Sequence, residues 1–106
     1  MPLPNLFADA EPPAAGERFE TLCDLGPAAR VQVERIISSA APDGALYVQT
    51  QAEWVVLLRG HAVLWVDGER HALTPGDHVC LPSGQPHRVE ETAEGTVWLA
   101  VHAHPR

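Results

Sequence analysis

Short segments in which apolar and polar residues alternate run through most of the chain, and a period of two residues is typical of β-strands with one buried face. Residues 30–37 alternate in this way and end in two adjacent isoleucines. Residues 53–59 are apolar on both faces after Glu53, which is typical of a strand covered on both sides. Comparable segments that turn residues separate lie at 45–49, 61–66, 69–74, 77–81, 86–91 and 96–103. The pattern predicts an all-β domain of many short strands.

The connections between these segments carry clear turn signals. Asp67-Gly68 is typical of a two-residue hairpin turn, and the composition of residues 41–44 predicts another turn. Residues 18–22 fit a short strand or a helical turn, and the local pattern leaves both open.

The first seventeen residues differ from the rest in being rich in proline, which excludes a long helix or a central strand there. We therefore predict an extended N-terminal arm at residues 1–17 and a single barrel domain at residues 18–106. Leu3, Leu6 and Phe7 are candidate anchors of this arm on the barrel or on a neighbouring subunit.

Size and charge narrow the possible partners. A chain of 106 residues supports one domain, and because so small a domain buries a modest share of its surface, we expect a homodimer. The net charge of −7, without any run of basic residues, argues against nucleic acid and anionic membranes as partners. No apolar run approaches the roughly 20 residues of a membrane span and no signal-peptide pattern opens the chain, which predicts a cytoplasmic protein. Cys23 and Cys80 are expected to be reduced, buried thiols.

The most distinctive stretch is residues 76–87, where Gly76, Pro82, Gly84 and His87 follow the spacing Gly-x5-Pro-x-Gly-x2-His. This spacing resembles the second sequence motif of the cupin superfamily. In cupins the histidine of that motif lies inside a small β-barrel and is commonly a metal ligand. The first cupin motif is matched in part: Glu53 and Gly60 fit its Glu-x6-Gly half, while Tyr47 and Gln49 stand where its two histidines would be.

The flanks are similar to those of a group of small bacterial single-domain cupins, a group that is not defined by one reaction. The resemblance rests on the opening at residues 5–7, the segment 30–38, a Tyr-x-Gln before Glu-Trp-Val, and the closing segment 97–102. It implies a cupin-type double-stranded β-helix, that is, a jelly-roll barrel of two antiparallel sheets. Because this fold hosts many unrelated activities, the resemblance supports the architecture more than any reaction.

A carboxylate at the head of an apolar strand has to be paired, protonated or bound to a cation if its side chain points inward. The resemblance makes Glu53 and His87 metal ligands, and the Gln49 side-chain oxygen can coordinate a cation without adding charge. Such mixed ligands suit Mn, Fe, Ni or Zn. His102 shares a strand face with Trp98 and Ala100 and becomes a further ligand if that face is interior. The alternative is a metal-free barrel in which Glu53 bonds to Tyr47 or to a protonated His87.

Other polar and aromatic residues are weaker candidates. Tyr47 and Trp54 either border a ligand pocket or pack in the core or an interface. Arg35 either reaches a substrate carboxylate or forms a surface ion pair with an acid such as Glu34 or Glu53. The remaining histidines are interpreted as surface residues: His61, His71, His78 and His104.

Two classes of function follow. The first is a metal-dependent enzyme acting on a small organic acid, phenol or sugar, in which Glu53 or Tyr47 assists proton transfer. The second is a non-catalytic barrel that binds or senses a small ligand. Both predict a small-molecule ligand in an interior pocket.

Overall fold

The computed structural model describes residues 3–25 and 30–105, and within these ranges every regular element is a β-strand. The strands are β1 (Glu17–Asp24), β2 (Val31–Ser38), β3 (Ala52–Arg59), β4 (Ala62–Val66), β5 (Glu69–Leu73), β6 (His78–Leu81), β7 (His87–Thr92) and β8 (Thr96–Ala103). The described residues include no helix of the length and apolarity needed to cross a membrane. The outermost residues of the predicted arm and domain, 1–2 and 106, lie outside the described ranges.

The strands form two antiparallel sheets, as the resemblance to cupins implies. The larger sheet has the order β1-β2-β8-β3-β6, and the smaller sheet has the order β5-β4-β7. Their facing surfaces enclose one apolar core, which brings together strands distant in sequence. The buried core consists of Ile36, Val55, Leu57, Ala62, Leu64, Leu73, Leu81, Trp98 and Ala100.

Two tight connections show why the local sequence carries glycine at particular positions. Asp67 and Gly68 both have positive φ, 44° and 95°, as the predicted two-residue hairpin between β4 and β5 requires. Gly60 has φ 92°, and a Cβ at this position would lie 2.9 Å from the Thr96 backbone Cα. The glycine of the Glu-x6-Gly pattern is therefore required both by its backbone conformation and by close packing.

Strand β3 alternates as predicted on its inner face, where Glu53, Val55 and Leu57 are buried. The expectation that its outer face is covered by a second layer is wrong at Trp54, which is 38 % exposed and packs against His78. Cys80 lies opposite Trp54 in the β3–β6 register and is exposed, as is Cys23, so the prediction of buried thiols is also wrong. Both cysteines are free, as predicted.

Strand β1 pairs antiparallel with β2 at the edge of the large sheet, and the arm contacts Arg35 on the outer face of β2. Residues 18–22 are part of strand β1, which resolves the ambiguity of that segment. The arm is held through its backbone, because the Arg35 guanidinium donates to the carbonyls of Leu6 at 3.2 Å, Ala8 at 2.6 Å and Asp9 at 3.3 Å. The division into an arm and a barrel at residue 18 stays a prediction.

Candidate functional site

A cavity of about 230 Å³ lies between the two sheets and is open at one end. Its walls come from the inner face of the large sheet, from β4 and β7 of the small sheet and from the connection that precedes β3. The lining residues are Glu17, Phe19, Gln32, Glu34, Ile36, Tyr47, Gln49, Gln51, Glu53, Val55, Leu64, Leu81, His87, Val89, Trp98, His102 and His104. The lining combines apolar side chains of both sheets with many polar and charged side chains.

His87 is fixed by contacts on both sides. Its backbone exchanges two hydrogen bonds with Tyr47, of 2.8 and 3.0 Å, and the two rings stack with centroids 5.8 Å apart. The Nδ1–H donates to the Gln85 carbonyl at 3.1 Å. Because a carbonyl can only accept, this bond places the proton of a neutral imidazole on Nδ1 and leaves a lone pair on Nε2.

Glu53 lies between two histidines at the start of β3. Its Oε1 is 3.9 Å from His87 Nε2, and its Oε2 is 3.9 Å from His102 Nε2. Both distances are too long for hydrogen bonds. Burial raises the pKa of the Glu53 carboxyl, and the positive charge available on the two histidines counteracts this only in part.

His102 is brought to the site by strand register, since on β8 it lies opposite Glu53 of β3 and Gln32 of β2. Its side chain is buried, so its strand face is interior. The Nε2–H donates to Glu34 Oε1 at 3.1 Å, and this hydrogen bond raises the pKa of His102. The other ring nitrogen, Nδ1, is buried without a hydrogen-bond partner among the described residues.

Gln49 supplies a further polar atom that lacks a partner. Its backbone carbonyl accepts from the Gly84 N–H at 2.7 Å, which joins the two segments that carry the cupin-like motifs. Its side-chain Oε1 is buried and, within the described part of the chain, accepts no hydrogen bond. An orphaned amide oxygen in a polar cavity is suited to a ligand or a cation.

The donor atoms around Glu53 match a divalent transition metal in type. Two imidazole nitrogens and one carboxylate are a common set for such ions. The match in spacing is incomplete, because ligand atoms around one ion lie about 3–3.5 Å apart when each bond is about 2.1 Å long, whereas the histidine–carboxylate distances are 3.9 Å. Across residues 3–25 and 30–105, no group of three His, Cys, Asp or Glu side chains forms a preassembled metal site. A small inward movement of these side chains is needed to complete one.

The structure therefore places four of the predicted ligands, Gln49, Glu53, His87 and His102, around one cavity with Tyr47 at its wall. It does not bring Trp54 or Arg35 there. Both side chains lie on the outer face of the large sheet, since strand alternation directs them away from the cavity.

Arg35 pairs with Glu20 at 2.6 Å rather than with Glu34 or Glu53. Neither Glu20 nor the arm carbonyls are predicted from the sequence as partners of Arg35.

Five further polar residues at the cavity were not identified as site residues from the sequence: Glu17, Gln32, Glu34, Gln51 and His104. Glu34 faces His102, and His104 stacks on His102 with centroids 6.2 Å apart. Glu17 accepts a 2.6 Å hydrogen bond from Ser38, and burial raises the pKa of Glu17. Gln32, Glu34 and Ile36 lie at alternate positions of β2, so the sequence indicates that they share one face of the strand. It does not indicate that this face points into the barrel.

This barrel of two antiparallel sheets, with a polar cavity between them and His87 and Glu53 from the two motifs inside it, defines a cupin domain. The family model for the cupin domain matches residues 39–102, which is more than half of the chain. The chain belongs to the cupin family.

Solved structures with the same fold include one of substantial sequence identity. A protein from Ralstonia eutropha JMP134 described as a "putative mannose-6-phosphate isomerase" is 37 % identical, with a TM-score of 0.84, and the match covers 99 % of this chain and 100 % of that one.

Two others are more distant. An RmlC-like cupin from Shewanella frigidimarina NCIMB 400 is 18 % identical, with a TM-score of 0.75, over 91 % of this chain and 83 % of that one. The cupin domain of an XRE family transcriptional regulator from Enterobacter cloacae is 21 % identical, with a TM-score of 0.70, over 86 % and 99 %. These two show the fold alone. No curated protein sequence matches the chain.

Proposed function

We propose that the cavity binds a divalent transition metal, Mn, Fe, Ni or Zn, through His87, His102 and Glu53, and that it acts there on a small organic substrate. Gln49 is proposed as a fourth, neutral oxygen donor. The observation that carries the proposal is the short distance between His87 Nε2 and the Glu53 carboxylate. The Gln85 carbonyl leaves a lone pair on Nε2, so in the neutral ring two electron-rich atoms lie 3.9 Å apart in a buried site. A cation between them removes this conflict.

The chemistry follows from the residues around that position. A bound divalent metal supplies Lewis acidity, which polarises a substrate oxygen. Burial raises the pKa of the Tyr47 hydroxyl, so Tyr47 stays protonated and can donate a hydrogen bond or a proton to the substrate. Glu53, once it is a ligand, holds its charge toward the ion, which makes Tyr47 the better candidate for proton transfer.

A second candidate function, a metal-free barrel that binds a small ligand without turnover, is favoured by one specific observation. His102 Nε2 is already engaged by Glu34 at 3.1 Å, and a metal would have to displace that proton. In this alternative a protonated His102 donates to Glu34 and lies beside Glu53, its single charge offsets one of the two carboxylates, and the cavity is filled by the organic ligand alone.

Metal content separates the two candidates. Protein purified without chelators is analysed by plasma mass spectrometry, before and after reconstitution with Mn, Fe, Ni or Zn, as wild type, H87A and E53Q. We expect near-stoichiometric metal in the wild type and a large loss in both variants, because each removes a ligand.

The matched control is H71A, which removes an exposed histidine outside the cavity. Metal that falls equally in H71A would indicate adventitious surface binding. A wild type that stays empty after reconstitution contradicts the metal site and leaves the ligand-binding barrel. The name of the Ralstonia relative suggests sugars and sugar phosphates as the first compounds to screen.

We also propose that the protein is a homodimer. Several large apolar side chains are exposed on the described surface, with Leu25 58 % and Val48 61 % exposed among them. Exposed apolar area of this kind is common at interfaces between subunits. Light scattering coupled to size-exclusion chromatography tests this directly, and a mass of one chain, 11.5 kDa, at micromolar concentration contradicts it.

A further inference from the structure

We infer that the cavity selects a small uncharged polyhydroxy compound, such as a free sugar, and discriminates against its phosphorylated or carboxylated forms. The inference rests on the proposed function in one respect, that the cavity is a ligand site. It identifies the chemical class of the ligand from the charge and polarity of the residues that line the cavity.

The first step is the charge of the cavity. Three carboxylates line it, from Glu17, Glu34 and Glu53, and none of the described lining residues is a lysine or an arginine. When His87 and His102 are neutral metal ligands, a bound divalent cation contributes two positive charges against three carboxylates. A phosphate placed beside the metal is therefore repelled by the acids that are not ligands.

The second step is where the basic side chains lie. The chain contains no lysine, and its seven basic residues are all arginines. Six of them lie in the described part of the chain, and none of these six lines the cavity. Each contacts another group: Arg18 and Arg35 pair with Glu20, Arg30 donates to the Pro105 carbonyl, Arg59 packs over Phe7, Arg70 pairs with Glu90 and Glu91, and Arg88 pairs with Glu90 and packs over Trp65. The usual device for binding phosphate or carboxylate, a guanidinium fork, is directed elsewhere.

The third step is what the walls offer instead. Gln32, Gln49 and Gln51 contribute amide groups, and Tyr47 contributes a hydroxyl. Amides and hydroxyls both donate and accept hydrogen bonds, and carboxylates accept them, which matches the hydroxyl groups of a polyol. A volume of about 230 Å³ is below the roughly 300 Å³ typical of the smallest drug-like pockets, so the ligand is about the size of a monosaccharide.

The test is calorimetric titration of the metal-loaded protein with mannose, glucose and their 6-phosphates at millimolar concentration, with metal content measured on the same samples. At least one free hexose is expected to bind at least tenfold more tightly than its 6-phosphate, a difference of about 1.4 kcal/mol. Equal or tighter binding of the phosphate esters, or no binding of either free hexose, overturns the inference. If the samples contain no metal but a free hexose still binds more tightly than its 6-phosphate, the proposed metal site is contradicted and the inference about the ligand stands.

Two variants test the physical cause. E17Q removes a cavity charge while keeping an oxygen for Ser38, and it is expected to narrow the discrimination by about threefold. Q51R places a guanidinium at the cavity and is expected to raise affinity for the phosphate ester. The control E94Q makes the same change in net charge at an exposed turn outside the cavity. Discrimination that responds equally to E17Q and E94Q, or not at all to Q51R, overturns the proposed cause.

Discussion

Arg35 and Glu53 are equally buried, each 7 % exposed, yet their surroundings differ sharply. Arg35, on the outer face of the large sheet, has the Glu20 carboxylate at 2.6 Å and three arm carbonyls within 3.3 Å. Glu53, on the inner face, has two histidine nitrogens at 3.9 Å and no closer ion pair among the described residues. Arg35 Nε is buried without a hydrogen-bond partner among the described residues, but both terminal nitrogens of the guanidinium are bonded. A buried charge with a close counter-ion is destabilising to disrupt, whereas one without a close counter-ion marks a place where a cation or a ligand can act.

The largest loss of stability is expected from removing the contacts of Arg35 with Glu20 and the arm. R35A removes the donor that holds the arm and leaves its carbonyls and Glu20 without their partner. We expect a loss of about 2–4 kcal/mol in the free energy of unfolding, measured by urea denaturation. The control is R70A, whose side chain is 61 % exposed in its surface ion pairs and should cost below about 1 kcal/mol. Equal costs for the two variants contradict a structural role for the Arg35 cluster.

The stability contributed by the Arg35–Glu20 pair should also depend on pH in the opposite sense to that of the inner residues, in the metal-free protein. These inner residues are Glu53, Glu17 and His102. Burial raises the pKa values of Glu53 and Glu17 above 4.5, and the Glu34 hydrogen bond raises that of His102 above 6.5. In each case the native state binds protons more tightly, so stability falls as pH rises, beyond 4.5 for the acids and beyond 6.5 for His102. Arg35 lowers the pKa of Glu20, so its contribution is present above 4.5 and is lost as pH falls through the lower native value.

Urea midpoints between about pH 5 and pH 9 measure this balance, and we expect a decline of about 1–2 kcal/mol in total toward alkaline pH. Saturating metal should flatten or reverse the decline, because binding requires the deprotonated ligands. If the free energy of unfolding of the metal-free protein rises steadily over the same pH range, the inner residues do not bind protons more tightly in the native state.

E53Q isolates the part of that decline due to the buried carboxylate. Above neutral pH the metal-free variant is expected to be about 1 kcal/mol more stable than the wild type, because an uncharged amide costs less to bury. At acidic pH, where native Glu53 is protonated, the difference should vanish. The corresponding outer variant, E20Q, should be less stable than the wild type at neutral pH. Destabilisation by E53Q at alkaline pH would mean that Glu53, like Arg35, has a close counter-ion.

The sequence was informative about strands and less so about which charges meet. The alternation after Glu53 and the shared parity of His102 with Trp98 and Ala100 assigned each residue to a strand face, since this follows from local periodicity, but left open whether that face is interior. The structure shows that both are buried. The pairing of Glu34 with His102 depends on β2 lying beside β8, a contact between residues 68 positions apart. Arg35 and Glu34 are adjacent and both charged, so alternation alone could not show which one faces inward. The partners of Arg35 are mostly backbone carbonyls of the arm, and these have no sequence signature.

The smallest loss of stability is expected from a variant that tests whether Phe7 or Arg35 is the main anchor of the arm. Phe7 is 49 % exposed and lies under the Arg59 guanidinium at 5.5 Å. F7A should cost below about 1 kcal/mol, because an exposed cation–π contact contributes little. In the R35A background the cost should shrink further, since an arm already released cannot lose the same contact again. Proteolysis within the arm, followed alongside urea denaturation, reports its release in each variant. A cost for F7A that matches that of R35A would make the aromatic side chain, and not the guanidinium on the outer face, the main anchor of the arm.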